Sequence, residues 1–212
     1  QLGYDDLEIH FQDPRTLKEI KERISECMGF EIIDQKEKYV HIKSIATTLD
    51  TEFDTLLRKS FLITDDMGKS LLEIFKKNEY EKISEIRSLE SLNNKFTDIC
   101  IRILNKRGYA ISNRTMQIYE VVKNIERIAD QFKYICDLFL DNKKSIDRKL
   151  LNLFEEVVDY YLLFSKMFYK FDPGIKIKLY TSRKVLIDKC NKTLETTKGN
   201  NSLFVHYILE II

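Results

Sequence analysis

The sequence predicts a mainly α-helical protein in which antiparallel three-helix bundles follow a small β-α-β-β segment. From about Leu49 onwards, apolar residues recur every three or four positions over long stretches, which is the spacing of helices with one buried face. Proline occurs 2 times and glycine 6 times in 212 residues, so long helices are seldom interrupted. Before Leu49, apolar and polar residues alternate in short runs that are typical of strands.

Residues 1–47 form the predicted β-α-β-β segment. The alternating runs place strands at residues 7–11, 30–34 and 39–45. Between the first two strands, Asp13 and Pro14 provide a helix start, and Gly29 follows the last residue of the predicted helix. A segment of this size buries little apolar surface alone, so we expect it to pack against the helices that follow.

Residues 48–142 form a predicted first three-helix unit, with helices at 49–77, 79–106 and 112–140. Ser112 or Asn113 is the expected N-cap of the third helix. Gly68 lies inside the first helix, where glycine costs about 1 kcal/mol relative to alanine. A close crossing of two helices at Gly68 would explain its presence. The short connections make neighbouring helices antiparallel.

Residues 143–212 form a predicted second unit, with helices at 145–171, 175–197 and from Ser202 onwards. The fourth helix is rich in aromatic residues, which is more typical of a packed core than of a ligand site. The expected inward face of the fifth helix contains Ile177, Tyr180, Val185, Ile187 and Leu194. Three long helices thus occur twice, at a period of about 90 residues, and the sequence stops inside the sixth helix.

The composition argues against several classes of function. The net charge is +1, so no overall positive field favours direct nucleic-acid binding. The apolar runs fall short of the ~20 residues of a membrane span, so membrane insertion is not expected. The cysteines are far apart and form no C-x-x-C pair, which predicts buried free thiols in a reducing, cytoplasmic compartment. They are Cys27, Cys100, Cys136 and Cys190.

The sequence contains no catalytic motif that we can identify. It lacks a G-x-S-x-G run, a glycine-rich phosphate-binding loop and a Glu-x-x-His pair of the di-iron bundle type. The three histidines are His10, His41 and His206, and none is close in sequence to the acidic pair Glu126 and Asp130. We therefore expect a protein that is not an enzyme.

The most informative residues are Glu126 and Asp130 on the third long helix. They are four residues apart, so they project side by side from the flank of the apolar stripe. Two carboxylates at this spacing repel each other by a few tenths of a kcal/mol, and a bridging cation would offset the repulsion. In the alternative interpretation, nearby Lys123, Arg127 and Lys133 dilute the charge, and the pair is an ordinary solvated edge.

Two sequence runs resemble a known family. The run N-I-E-R-I-A-D, residues 124–130, resembles the signature that closes a three-helix unit in PhoU-type phosphate-signalling proteins. The run I-S-E-C-M-G-F-E-I-I-D, residues 24–34, followed by Y-V-H-I-K-S-I and by L-R-K-S-F at 57–61, resembles the archaeal PhoU-like regulators, which carry a small α/β segment before the helices. Together the two resemblances cover about residues 7–140, in the family's order. Members of that family have two such units, each ending in a signature helix, so the resemblance implies that the second unit, 143–212, is incomplete at its C-terminus.

The resemblance implies a set of metal ligands. In that family the Glu and Asp of the signature bind a surface metal cluster, and the second helix carries its own acidic pair four residues apart. In this sequence Glu90 matches that pair and could face Glu126 and Asp130, but Asn94 stands where the second acid is expected. An asparagine carbonyl can bind a cation without contributing charge, so affinity for a divalent, iron or zinc cation should be lower.

The resemblance also implies the function. It predicts a non-enzymatic cytoplasmic regulator of phosphate uptake, an adaptor whose partners are components of the phosphate ABC transporter or signalling proteins. Two alternatives remain open at this point. One is a helical bundle that binds a metal as its signal, and the other is a structural module that forms a homodimer through its aromatic fourth helix.

Overall fold

The computed structural model describes residues 2–45, 52–140 and 146–212, which form two compact units. The N-terminal unit comprises residues 1–60 and 94–124, and the C-terminal unit comprises residues 61–93 and 125–212. The helices at 53–77, 83–107 and 115–140 each contribute one segment to each unit. The division into 1–47, 48–142 and 143–212 therefore stays a prediction about sequence repeats.

The N-terminal unit begins with the predicted β-α-β-β segment. Its elements are β1 (Asp6–His10), α1 (Arg15–Glu26), β2 (Phe30–Lys36) and β3 (Tyr39–Ser44). The sheet is antiparallel with strand order β1-β3-β2, and Phe11, Val40 and Ile42 form its small buried core. Strand β2 includes two residues of the predicted turn, because Gln35 and Lys36 continue the pairing with β3.

The helices confirm the predicted mainly α-helical class. They are α2 (Phe53–Lys77), α3 (Ile83–Arg107), α4 (Thr115–Leu140), α5 (Arg148–Tyr169), α6 (Pro173–Thr196) and α7 (Asn200–Leu209). The expected start of α2 at residue 49 and the expected turn at 141–144 lie outside the described residues. No helix in the described parts of the chain has the length and apolar character needed to cross a bilayer.

Several helix ends differ from the prediction. Ser112 does not cap α4 directly but opens a single 3-10 turn, Ser112–Arg114, which precedes the helix. The Asp172 carboxylate caps α6 by accepting hydrogen bonds from two backbone N–H groups, so the helix begins at Pro173 rather than Ile175. Ser202 lies inside α7, because Gly199 at φ +60° already starts that helix.

Within the N-terminal unit, the strand segment is attached to the second half of α3. The Asp5 carboxylate, just ahead of β1, forms ion pairs with Arg102 and Lys106 of α3. The Arg102 guanidinium also lies 5.0 Å from the centre of the Phe30 ring on β2. The hydrogen bond from Lys106 lowers the pKa of Asp5. These contacts confirm the expectation that the segment packs against a later helix.

In the C-terminal unit, α2, α3 and α4 contact one another pairwise. The Asn93 amide of α3 donates a hydrogen bond to Thr64 Oγ1 of α2 at 2.6 Å. A Cβ added at Gly68 of α2 would lie 3.0 Å from the Phe132 ring of α4, so the glycine leaves room for that ring where α2 and α4 pack. This contact explains why glycine occupies a helical position that alanine would otherwise favour.

The aromatic residues of α5 belong to the core of the C-terminal unit. The Phe154 ring packs against Phe75 of α2 and Phe132 of α4, with centroids 5.7 and 6.4 Å apart. The Phe168 ring stacks on Phe61 of α2 at 4.8 Å. The core interpretation of the aromatic stripe is therefore confirmed for Phe154 and Tyr161, whereas Tyr169 and Phe171 are 45% and 70% exposed. The Phe204 ring of α7 packs against Phe75 and Phe154, so α2, α4, α5 and α7 share one packed interior.

The expected inward face of α6 is wrong for three of its five residues, whereas Ile187 and Leu194 are partly buried. Ile177, Tyr180 and Val185 are 65%, 83% and 53% exposed, whereas the buried residues of this helix are Leu179, Leu186, Cys190 and Thr193. The helix carries apolar residues on more than one side, so periodicity alone did not select the buried side. Its outward side consequently presents large apolar side chains to solvent.

Candidate functional site

The predicted acidic pair lies on α4 in the C-terminal unit. Ile125, Ala129 and Phe132 form the buried stripe of this part of the helix and are each fully buried. Glu126 and Asp130 fall on the flank of that stripe, and both are partly buried. The helix and the placement of the two carboxylates therefore agree with the sequence prediction.

The Glu90 carboxylate of α3 lies close to the Asp130 carboxylate of α4, and one lysine hydrogen-bonds to both. The Lys133 Nζ of α4 donates hydrogen bonds to Asp130 Oδ1 at 2.6 Å and to Glu90 Oε1 at 2.9 Å. The side chains of Lys133 and Glu90 are 18% and 12% exposed, and that of Asp130 is 29% exposed. The expectation that Glu90 faces the α4 pair is met for Asp130, through a lysine that bridges the two carboxylates.

The electrostatics of this cluster favour a charged lysine. Burial opposes the ammonium form, but the hydrogen bonds to Asp130 and Glu90 outweigh it, so the pKa of Lys133 is raised. The Nζ also lies 4.9 Å from the centre of the Tyr134 ring, whose face attracts cations. Because the cluster has limited contact with water, removing Lys133 would take away the positive charge that both carboxylates share, whereas removing one carboxylate would leave a balanced ion pair.

A second ion pair follows along the same helix contact. Arg87 Nε of α3 lies 2.5 Å from Asp137 Oδ1 of α4. Glu90 of α3 pairs with Lys133 of α4, and the earlier residue Arg87 pairs with the later residue Asp137, so the two helices run in opposite directions here. Both pairs connect α3 to α4 inside the C-terminal unit. The cluster of Glu90, Asp130 and Lys133 is hereafter called the lysine-bridged pair.

The predicted metal ligands are not gathered into a metal site by this geometry. Asn94 lies one turn after Glu90 on α3 and is partly buried. Over residues 2–45, 52–140 and 146–212, no group of three or more His, Cys, Asp or Glu side chains could hold a metal ion. The ligand set Glu126, Asp130, Glu90 and Asn94 therefore stays a prediction.

Lys133 is the residue of this cluster that the metal interpretation missed. The signal was present in the sequence, because Lys133 follows Asp130 by three residues and so shares its helix face. The alternative interpretation named Lys133 among the residues that dilute the charge, and the structure agrees on this point. It differs in that the pair is partly buried rather than at a solvated edge.

The histidines and cysteines lie elsewhere. His10 and His41 are on β1 and β3, where His41 Nε2 pairs with the Asp6 carboxylate, and His206 is on α7. All four cysteines are free, but Cys27 is exposed, so the prediction of buried thiols is wrong for that residue. Burial raises the pKa of the Cys100 and Cys136 thiols to about 12 and that of Cys190 to about 11.

These features define a class of protein, a helical bundle with a charged cluster between two antiparallel helices and a small antiparallel sheet ahead of it. Comparison with known families identifies the central part more closely. Residues 57–139 match the family model described as the PhoU domain. The matched region contains Glu90, Glu126, Asp130 and Lys133. No curated protein and no solved structure matches the chain.

Proposed function

We propose that this protein is a non-enzymatic regulator of phosphate uptake that acts in the cytoplasm as an adaptor. The observation that carries the proposal is the PhoU-domain match over residues 57–139. That segment extends from α2 through α4, so it covers the three helices that meet around Gly68 and the lysine-bridged pair. The proposed partner is a component of the phosphate ABC transporter or a signalling protein associated with it, and the archaeal-type subfamily is part of the proposal.

An adaptor needs a surface for its partner, and the outward side of α6 is suited to this purpose. Ile177 and Tyr180 are three residues apart, so they share a face of the helix, and they are 65% and 83% exposed. Phe171, just ahead of α6, is 70% exposed. Exposed apolar side chains that are close together are typical of protein-interaction surfaces. We propose that the outward face of α6 that presents Ile177 and Tyr180 contacts the partner.

The test is co-purification of the protein with the ATPase subunit of the phosphate transporter from the same organism. We expect the wild-type chain to retain that subunit and an unrelated transporter ATPase to be lost in washing. The double variant Ile177→Ser and Tyr180→Ser should reduce retention at least tenfold while leaving the thermal midpoint unchanged, because both side chains are exposed.

The matched control is Leu62→Ser on α2. Leu62 is also a large apolar residue, 56% exposed, but it lies on a different helix. Its substitution should leave retention unchanged. If neither the transporter subunit nor any phosphate-signalling protein is retained by the wild-type chain, the adaptor proposal fails.

A bound metal is not required for this function. The metal prediction depends on the carboxylates of Glu90 and Asp130. Each of them already accepts a hydrogen bond from the Lys133 ammonium. The interpretation as a metal-binding signalling bundle therefore gains no support from the described geometry. A homodimer through the aromatic side of α5 gains none either, because Phe154, Tyr161 and Phe168 pack inside the C-terminal unit.

A further inference from the structure

The lysine-bridged pair has the arrangement of an occupied cation site. Two carboxylates from different helices direct oxygens at one point, and the ammonium of Lys133 is at that point, 2.6 and 2.9 Å from them. These are the short distances of charge-assisted hydrogen bonds. The site therefore already contains a positive charge, and that charge is covalently attached to α4.

A divalent cation would compete with the ammonium for the same oxygens. Hard cations such as Mn²⁺ bind carboxylate oxygens directly, at little more than 2 Å. Such an ion between Glu90 and Asp130 would be within a few ångströms of the Lys133 nitrogen, where repulsion between positive charges is strong at low dielectric. Binding would therefore require Lys133 to leave a position in which it is 18% exposed and doubly hydrogen-bonded.

We infer that the Lys133 ammonium is the resident cation of the Glu90 and Asp130 carboxylates, and that it excludes divalent metal from this site in the native protein. This inference departs from the metal cluster that the resemblance implies. It does not rest on the proposed phosphate role, because it follows from the contacts of one side chain.

Without the Lys133 ammonium, the Glu90 and Asp130 carboxylates would be open to another cation. Removing the ammonium leaves two partly buried carboxylates close together, with Glu126 one turn earlier on α4, and like charges in this arrangement repel. A divalent cation would relieve that repulsion. The variant Lys133→Met keeps most of the apolar length of the side chain and removes the charge, so it should acquire an Mn²⁺ site.

The experiment is calorimetric titration of the full chain with MnCl₂ at pH 7, together with thermal unfolding in the presence and absence of the metal. Lys133→Met should bind one Mn²⁺ at least tenfold more tightly than the wild type, and its midpoint should rise with added metal. Lys133→Arg, which keeps the charge, should behave as the wild type. The double variant Lys133→Met with Asp130→Asn should lose the acquired site.

The matched control is Lys76→Met. Lys76 Nζ lies 2.7 Å from Glu155 on another helix and so pairs with one carboxylate instead of two. This variant should not acquire the site. Stoichiometric Mn²⁺ binding by the wild type that Asp130→Asn abolishes would overturn the inference, and this comparison remains available if Lys133→Met does not fold. A folded Lys133→Met with no gain in affinity would overturn it as well.

Discussion

Asp65 on α2 is a carboxyl group placed in a partly buried position of the C-terminal unit. Burial raises its pKa, although a hydrogen bond from Ser165 Oγ of α5, at 3.1 Å, acts in the opposite direction. A raised pKa in the folded state means that the protonated form is favoured by folding. The stability contributed by this group is therefore fully present below its unfolded value of 3.8 and is lost as the pH rises through the raised pKa.

The variant Asp65→Asn tests whether the stability contributed by Asp65 falls as the pH rises. The amide has no charge to desolvate and can still accept the hydrogen bond from Ser165, so at pH 7 it should raise the thermal midpoint by a few degrees. The gain should shrink towards zero as the pH falls to about 4, where wild-type Asp65 is itself protonated. Asp66→Asn, at the exposed neighbouring position, is the control and should show no such trend. A gain that is independent of pH would contradict the pKa argument.

The thiols should differ sharply in reactivity. Cys27 is exposed, whereas the other three cysteines are buried with pKa values raised to about 11 or 12. In the native protein, one of the four thiols should react with a disulfide reagent, and all four should react after denaturation. Desolvation also raises the pKa of Cys27, so its rate should increase as the pH rises from 7 to 9. Loss of this reaction in Cys27→Ser identifies the residue, and rapid labelling of a second thiol in the native state would contradict the burial argument.

At the level of single residues, sequence reasoning located the carboxylates better than their partner. Glu126 and Asp130 could be placed on the flank of α4 because a helical stripe fixes which residues lie beside it. The approach of Glu90 to Asp130 also followed, since antiparallel neighbours bring residues of known register together. Lys133 could be assigned to the same face but not to the gap between the carboxylates, because its side chain has several rotatable bonds. Its position depends on the distance between α3 and α4, which no local pattern specifies.

At the level of elements, Gly68 shows how a helix crossing restricts the sequence of α2. A Cβ at this position would be 3.0 Å from Phe132 Cζ and 3.4 Å from Val158 Cγ1. Overpacking of this kind costs about 1–3 kcal/mol, which exceeds the gain of about 1 kcal/mol from the higher helix propensity of alanine. We therefore expect Gly68→Ala to lower the free energy of unfolding by about 1 kcal/mol.

Denaturant unfolding measures this change. Asn152→Ala is the control, because Asn152 is exposed on α5 and alanine has the higher helix propensity there too. That variant should be unchanged or slightly more stable. An increase in stability for Gly68→Ala equal to that of the control would show that the two helices can separate without cost.

The sequence predicted the existence of every helix and strand but not the buried side of α6. In α4 the apolar residues form one stripe, so periodicity selected the correct face. In α6, apolar residues such as Ile177 and Leu179 lie on opposite sides, and the buried side is the one that α5 and α7 cover. Which side is covered is a property of the tertiary structure. A helix with apolar residues on its uncovered side departs from the usual pattern, and such departures are expected at functional sites such as partner-binding surfaces.

At the level of the whole molecule, the region matched to the PhoU domain does not coincide with a separate core. Phe75 and Phe132 lie within residues 57–139, and the rings that they contact include Phe154 on α5. Phe75 also contacts Phe204 on α7, with centroids 6.1 Å apart. Since all of these residues belong to the C-terminal unit, α2 and α4 complete their packing with helices outside the matched region.

This shared core leads to a prediction about fragments of the chain. A fragment of residues 1–140 contains all three helices of the predicted first unit but lacks α5, α6 and α7, so Phe61, Phe75 and Phe132 would each lose aromatic partners to water. Burying one such side chain contributes about 1.5–3 kcal/mol, and a domain is stable by only about 5–15 kcal/mol. We expect the fragment to bind a hydrophobic dye and to unfold without a sharp thermal transition, unlike the full chain.

Co-expression of residues 146–212 provides the control for this experiment. If the defect of the 1–140 fragment is the missing aromatic packing, the second fragment should restore a cooperative transition and remove the dye binding. A version of it with Phe154→Ala should restore them less well, because the Phe154 ring contacts both Phe75 and Phe132. A 1–140 fragment that unfolds cooperatively near the midpoint of the full chain would instead show that the predicted unit at 48–142 is an independent domain, and that the aromatic contacts with α5 and α7 join two folded units.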